Sequence, residues 1–127
     1  MDNSKLYFSK QEGSEEDNIL RLSETYNIKL NSDLLTLSSC ESGSGILSKG
    51  EGVLSFTRGF SYAGVNNINC SLWKVNDFYT AEMMKEFYTE LLTGKSFASS
   101  LRNAKLSILK TKSRSPKDWA GFVLISN

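Results

Sequence analysis

Apolar residues along this 127-residue chain fall into short blocks separated by polar or glycine-containing stretches. The block "DLLTLSS" (33–39) is continuous and short, which predicts a strand buried on both faces. "VNNINCSLWKV" (65–75) predicts a second buried strand with Cys70 inside it. "WAGFVLIS" (119–126) predicts a closing strand and "KLYFS" (5–9) a short early one. Helical spacing lies between them. Val53, Phe56, Phe60 and Ala63 recur on one helical face, and Gly64 supplies the stop. Met83, Met84, Phe87, Leu91 and Leu92 form the next stripe, with Asp77 and Thr80 as candidate N-caps and Gly94 at the end. Phe97, Leu101, Ala104 and Ile108 align in a third helix, and Ser115-Pro116 breaks that pattern. "KQEGSEEDN" reads as a surface loop. "ILRLSETYNIKLN" is ambiguous: Ser23, Tyr26 and Ile28 suggest a short helix, Asn31 and Asp33 a turn.

Strands alternating with helices predict an α/β domain, a mostly parallel sheet of about four strands flanked by helices. Parallel strands are expected near Lys5–Ser9, Asp33–Ser39, Asn67–Leu72 and Trp119–Ser126. Sites in such sheets form beyond the carboxyl ends of the strands. Cys40 falls at one such end, and the residues from Trp73 to Asp77 follow another.

Composition narrows the function. The length allows one domain at most. Fifteen Lys and Arg against 14 Asp and Glu give a net charge of +1, and the densest basic stretch, Lys105 to Lys117, reads as the solvated face and end of a helix. No aromatic platform accompanies it, which argues against nucleic acid. No apolar run approaches the roughly 20 residues that span a bilayer, and "MDNSKLYFSKQEG" has no signal-peptide core. Two cysteines without a secretory signal point to reduced thiols in the cytoplasm. There is no histidine, and Cys40 and Cys70 are far apart, so neither a metal nor another cofactor is expected.

The stretch "LLTLSSCESGSGILSKGEG" (34–52) carries the candidate chemistry. A nucleophile of an α/β enzyme sits this way, at the end of a buried strand under small residues. Glu41, Gly43 and Gly45 form the loop, either to bring backbone amides close to a substrate or as an ordinary turn. The segment completes neither a P-loop nor a dinucleotide fingerprint. Taken by composition alone, Cys40 is more readily a buried, inert thiol than a nucleophile.

Four stretches then carry a resemblance: the Cys-Glu-Ser-Gly loop, Gly-Glu-Gly at 50–52, Ser-Leu-Trp-x-Val-x-Asp at 71–77 and Trp-Ala-x-Phe at 119–122. In this order, from about Lys5 to the end, the chain resembles the CHAT domain of the caspase-like cysteine peptidases, whose loop typically reads Ala-Cys-Glu-Thr-Gly. The resemblance implies a caspase-like fold and makes Cys40 the nucleophile position. The family's general base is a histidine followed by glycine, on a strand and loop preceding the region matched here. The chain is therefore expected to be the C-terminal portion of a CHAT domain, 1–127, without the catalytic histidine and the glycine that donates to the oxyanion. Such domains commonly follow helical repeats. In relatives that cut after basic residues an acid lines the substrate pocket, which makes Asp77 a candidate; an N-cap role is its plainer reading. Trp73 either walls that pocket or packs in the core, Arg58 faces solvent or pairs with an acid, and Cys70 is a small core residue.

Two functions follow from these readings. One is a cysteine-peptidase fragment, inactive alone because a free thiol is mostly protonated at neutral pH. Lys49 or Glu51 would be the first substitutes for the missing base. The other is a non-catalytic protein-interaction module on a degenerate caspase-like fold. Expected partners are a protein or peptide: the N-terminal half of a CHAT domain, a helical-repeat protein, or a second copy of this chain.

Overall fold

The computed structural model describes residues 5–7, 12, 19–38 and 51–127. Its first elements are β1 (Lys5–Tyr7) and β2 (Ile19–Arg21), an antiparallel pair with Leu6 opposite Leu20. The β2 strand falls inside the segment whose pattern is ambiguous. Three residues offer too little alternation to distinguish strand from helix. The short helix expected there follows at once as α1 (Leu22–Thr25).

β3 (Ser32–Leu37), α2 (Glu51–Ala63) and β4 (Val65–Ser71) form the next unit. Among the described residues, α2 is the helix between these strands; it returns the chain to its starting end, and β3 and β4 run parallel, Leu34 opposite Asn67 and Leu37 opposite Cys70. The return from α2 is tight. Gly64 has φ +114°, and a Cβ there would strike the Leu30 carbonyl oxygen, so only glycine fits the stop.

After β4 come α3 (Asp77–Leu92) and α4 (Phe97–Thr111), packed on one another across a short turn at Gly94. Two helices carry the chain away and back. Pro116, expected only to break a helix, starts the short α5 (Pro116–Trp119) at its first position. β5 (Phe122–Ser126) therefore begins where β4 finished, with Phe122 opposite Ser71, and runs antiparallel to it. This corrects the parallel direction expected for the last strand, and the antiparallel pairing of β1 with β2, outside this sheet, corrects that expected near Lys5–Ser9. The α/β architecture stands: among the described residues it is a three-stranded mixed sheet in the order β3-β4-β5 beside the separate β1-β2 pair.

The sheet is the middle layer. Strand alternation sends Leu35, Leu37, Ile68 and Cys70 toward Phe56 and Phe60 of α2. Leu34, Phe122 and Leu124 go to the other face, against Met83 and Phe87 of α3 and Leu101 and Ile108 of α4. β4 lies between two strands and is buried almost throughout, which is why its sequence reads as a near-continuous run. The expected α3 stripe holds at Met83 and Phe87, but Leu92 is 90% exposed, one position off the line of 83, 87 and 91.

Candidate functional site

Because β3 and β4 are parallel and paired at Leu37 and Cys70, the segments that follow them leave from one end of the sheet. Cys40 follows Leu37 by three positions in sequence. Cys40, Glu41, Gly43, Gly45 and Lys49 lie outside the described residues, as does the side chain of Glu51. The described part of the candidate site is the segment from Leu72 to Asp77.

That segment is strapped to the approach to β5. The Leu72 N–H donates to the Gly121 carbonyl at 2.8 Å. The Trp73 indole Nε1–H donates to the Lys117 carbonyl at 2.9 Å. Val75 is buried in the cluster under α3 and α4. Both side chains close over Gly121: a Cβ there would lie 2.9 Å from Val75 Cγ2 and 3.1 Å from Trp73 Cε2. Glycine is needed for this approach. Two of the sequence stretches singled out above, 71–77 and 119–122, thus meet in space. Trp73 is held against the 117–121 segment rather than in the core, and 40% of it is open to solvent.

Asn76 is the N-cap of α3, its side-chain oxygen accepting from the Phe78 N–H at 2.9 Å. The cap is thus neither Asp77 nor Thr80; the Thr80 N–H already donates to the Asn76 carbonyl inside the helix, at 2.9 Å. Asp77 occupies the first helical position and is exposed. Among the described residues its carboxylate has no hydrogen-bond or ion-pair partner. An unengaged carboxylate at the carboxyl end of a sheet can meet a cationic group. Sequence reasoning missed Asn76, which a cap search one residue upstream would have found, and Gly121, which sits at the unspecified position of Trp-Ala-x-Phe.

The other candidates are plainer. Cys70 is fully buried on the α2 face, and desolvation pushes its thiol from 9.0 up to about 11, so it is inert at neutral pH. Arg58 is exposed on α2. In the basic stretch, Lys110, Lys112, Arg114 and Lys117 are exposed, whereas Lys105 is half-buried and desolvation lowers its ammonium pKa. Lys112 stands 3.8 Å from Glu82 and 5.8 Å from the centre of the Phe78 ring. Among the described residues, no group of His, Cys, Asp and Glu is arranged to hold a metal ion, and no helix is long and apolar enough to cross a membrane.

The fold and its strapped loop define an α/β domain with a candidate site at the shared end of two parallel strands. The chain belongs to the CHAT domain family, whose model matches residues 1–127. It is similar to tetratricopeptide repeat protein 28 of Mus musculus, 30% identical over 110 residues, which is 86% of this chain and 4% of that protein. Against tetratricopeptide repeat protein 28 of Homo sapiens it is 32% identical over 111 residues, again 86% of this chain and 4% of that protein. The chain therefore spans a small fraction of the length of these curated relatives.

Proposed function

We propose that Cys40 occupies the nucleophile position of a CHAT-type cysteine peptidase, and that these 127 residues by themselves do not turn over peptides. The observation that carries the proposal is the parallel β3–β4 pair: the strand leading into Cys40 and the strand leading into Trp73 end on the same side of the sheet. The unengaged Asp77 carboxylate on that side supports a pocket for a basic substrate side chain. The absence of histidine sets the limit. Without imidazole the thiol at position 40 has no strong base to ionise it, and the leaving amine has no acid to protonate it. Removing one member of such a catalytic set leaves only residual activity.

The test is cleavage of peptides with a basic residue before the scissile bond, comparing this chain with Cys40→Ala. The two should be indistinguishable. Steady turnover that Cys40→Ala abolishes would show that another group, Lys49 or Glu51 first, serves as base. The absence of histidine also favours a second reading, a protein-interaction module that uses the same loops for binding. That reading predicts peptide capture by Cys40→Ala as strong as by the unsubstituted chain, with no gain of cleavage when an imidazole-bearing segment is supplied.

A further inference from the structure

We propose that Ser115 is a phosphorylation site for a proline-directed protein kinase. The chain has one proline, Pro116, and it directly follows Ser115. Residues 113–115 join α4 to α5 without helix or strand structure, and Ser115 is exposed. Its backbone is extended, φ −70° and ψ 121°, as a following proline favours and as a kinase cleft requires of its substrate. Although Ser115 occupies the capping position of α5, its hydroxyl makes no cap bond and has no hydrogen-bond partner among the described residues. The neighbouring Ser113 differs: it is half-buried, and its hydroxyl donates to Asp118 Oδ2 at 2.7 Å and accepts from the Ser115 N–H at 3.2 Å. The exposed cations Lys110, Lys112, Arg114 and Lys117 flank the site.

The step transfers the terminal phosphoryl group of a nucleoside triphosphate. The Ser115 Oγ forms the new bond to phosphorus, the bond to the leaving nucleoside diphosphate breaks, and the hydroxyl proton passes through the kinase's base to solvent. The product carries a charge of about −1.5 to −2 at neutral pH. It sits between Arg114 and Lys117 in sequence and three positions before Asp118. It draws the two cations and repels the Asp118 carboxylate that holds Ser113. The Lys117 carbonyl is also the acceptor of the Trp73 indole N–H, so a disturbance of α5 reaches the loop that carries Asp77. Modification of Ser115 therefore loosens the Trp73 strap. The site stands whether or not Cys40 is a nucleophile.

The chain is incubated with magnesium ATP and a proline-directed kinase, and phosphorylated positions are mapped by tandem mass spectrometry. One phosphoryl group on Ser115 is expected, lost in Ser115→Ala and kept in Ser113→Ala. No incorporation, or incorporation that survives Ser115→Ala, overturns the site. In a Trp119→Phe background the emission of Trp73 should move to longer wavelength on phosphorylation and return after phosphatase treatment. Unchanged emission from a fully phosphorylated sample overturns the link to the strap.

Discussion

Replacing Gly121 with alanine tests whether the candidate-site loop is held as described. The added Cβ would lie 2.9 Å from Val75 Cγ2 and 3.1 Å from Trp73 Cε2. Carbon atoms prefer about 3.5–4.0 Å, so the neighbours must retreat by roughly half an ångström or more. Neither yields freely. Val75 is buried and stiff at χ1, and Trp73 is tied to the Lys117 carbonyl. Overpacking of this kind costs about 1–3 kcal/mol. With a urea m-value of about 2 kcal/mol/M for a small domain, the unfolding midpoint should fall by about 1 M. A double-mutant cycle assigns the clash. In a Trp73→Ala background, Gly121→Ala should cost about 1 kcal/mol less, the remainder being the collision with Val75. Emission in a Trp119→Phe background reports Trp73 directly and should shift on Gly121→Ala. A midpoint unchanged within about 0.2 M, or a cost that is the same with and without the indole, refutes the strap.

Other consequences are as specific. Asn76→Ala should destabilise the chain by about 1 kcal/mol through loss of the α3 cap, whereas Asp77→Asn should cost about 0.3 kcal/mol, the helix-dipole contribution alone; equal losses in urea unfolding would return the cap role to Asp77. Cys70 should take up no thiol reagent in the folded chain and label only on unfolding, as followed by peptide mapping. Its thiol is raised from 9.0 to about 11, so between those pH values the unfolded chain binds fewer protons than the folded one and stability falls as pH rises. Cys70→Ala should remove that part of the slope, and an identical pH profile in the variant would contradict the burial argument. Gly64→Ala should cost several kcal/mol, from both the left-handed backbone and the collision with Leu30, and a midpoint near that of the parent chain would speak against the turn.

Much of this fold is legible because local and tertiary demands agree. In α2 the helical spacing of Val53, Phe56 and Phe60 is also the buried face, and β4 reads as a strand because both of its faces are covered. Strand direction was less accessible. The helices between the strands decide it, α2 before β4 and the long pair α3 and α4 before β5 among the described residues, and the sequence pattern suggested only alternation. β2 was hidden by its brevity: Ile19–Arg21 is a strand because Leu6 and Leu20 reach the α2-side core. At the candidate site, Trp73 and Asp77 were visible as unusual residues after a buried strand. Gly121 was not, because its importance is the space that Trp73 and Val75 require, and a contact across more than forty residues leaves no local periodicity. Asn76 was overlooked because Asp77 is also a favourable residue at a helix start, and only hydrogen-bond geometry separates the two.

We propose that Cys40 holds a nucleophile's position and takes its imidazole from a separate segment of a CHAT domain. The direct measurement mixes this chain with a polypeptide bearing the strand, histidine and glycine of a CHAT domain's N-terminal half. Association is followed by sedimentation, and cleavage with a peptide carrying a basic residue before the scissile bond. No Cys40-dependent cleavage by either part alone is expected. The mixture should show turnover that Cys40→Ala abolishes and Asp77→Asn weakens. A complex that forms stably and cleaves nothing, or cleavage that persists in Cys40→Ala, would contradict it.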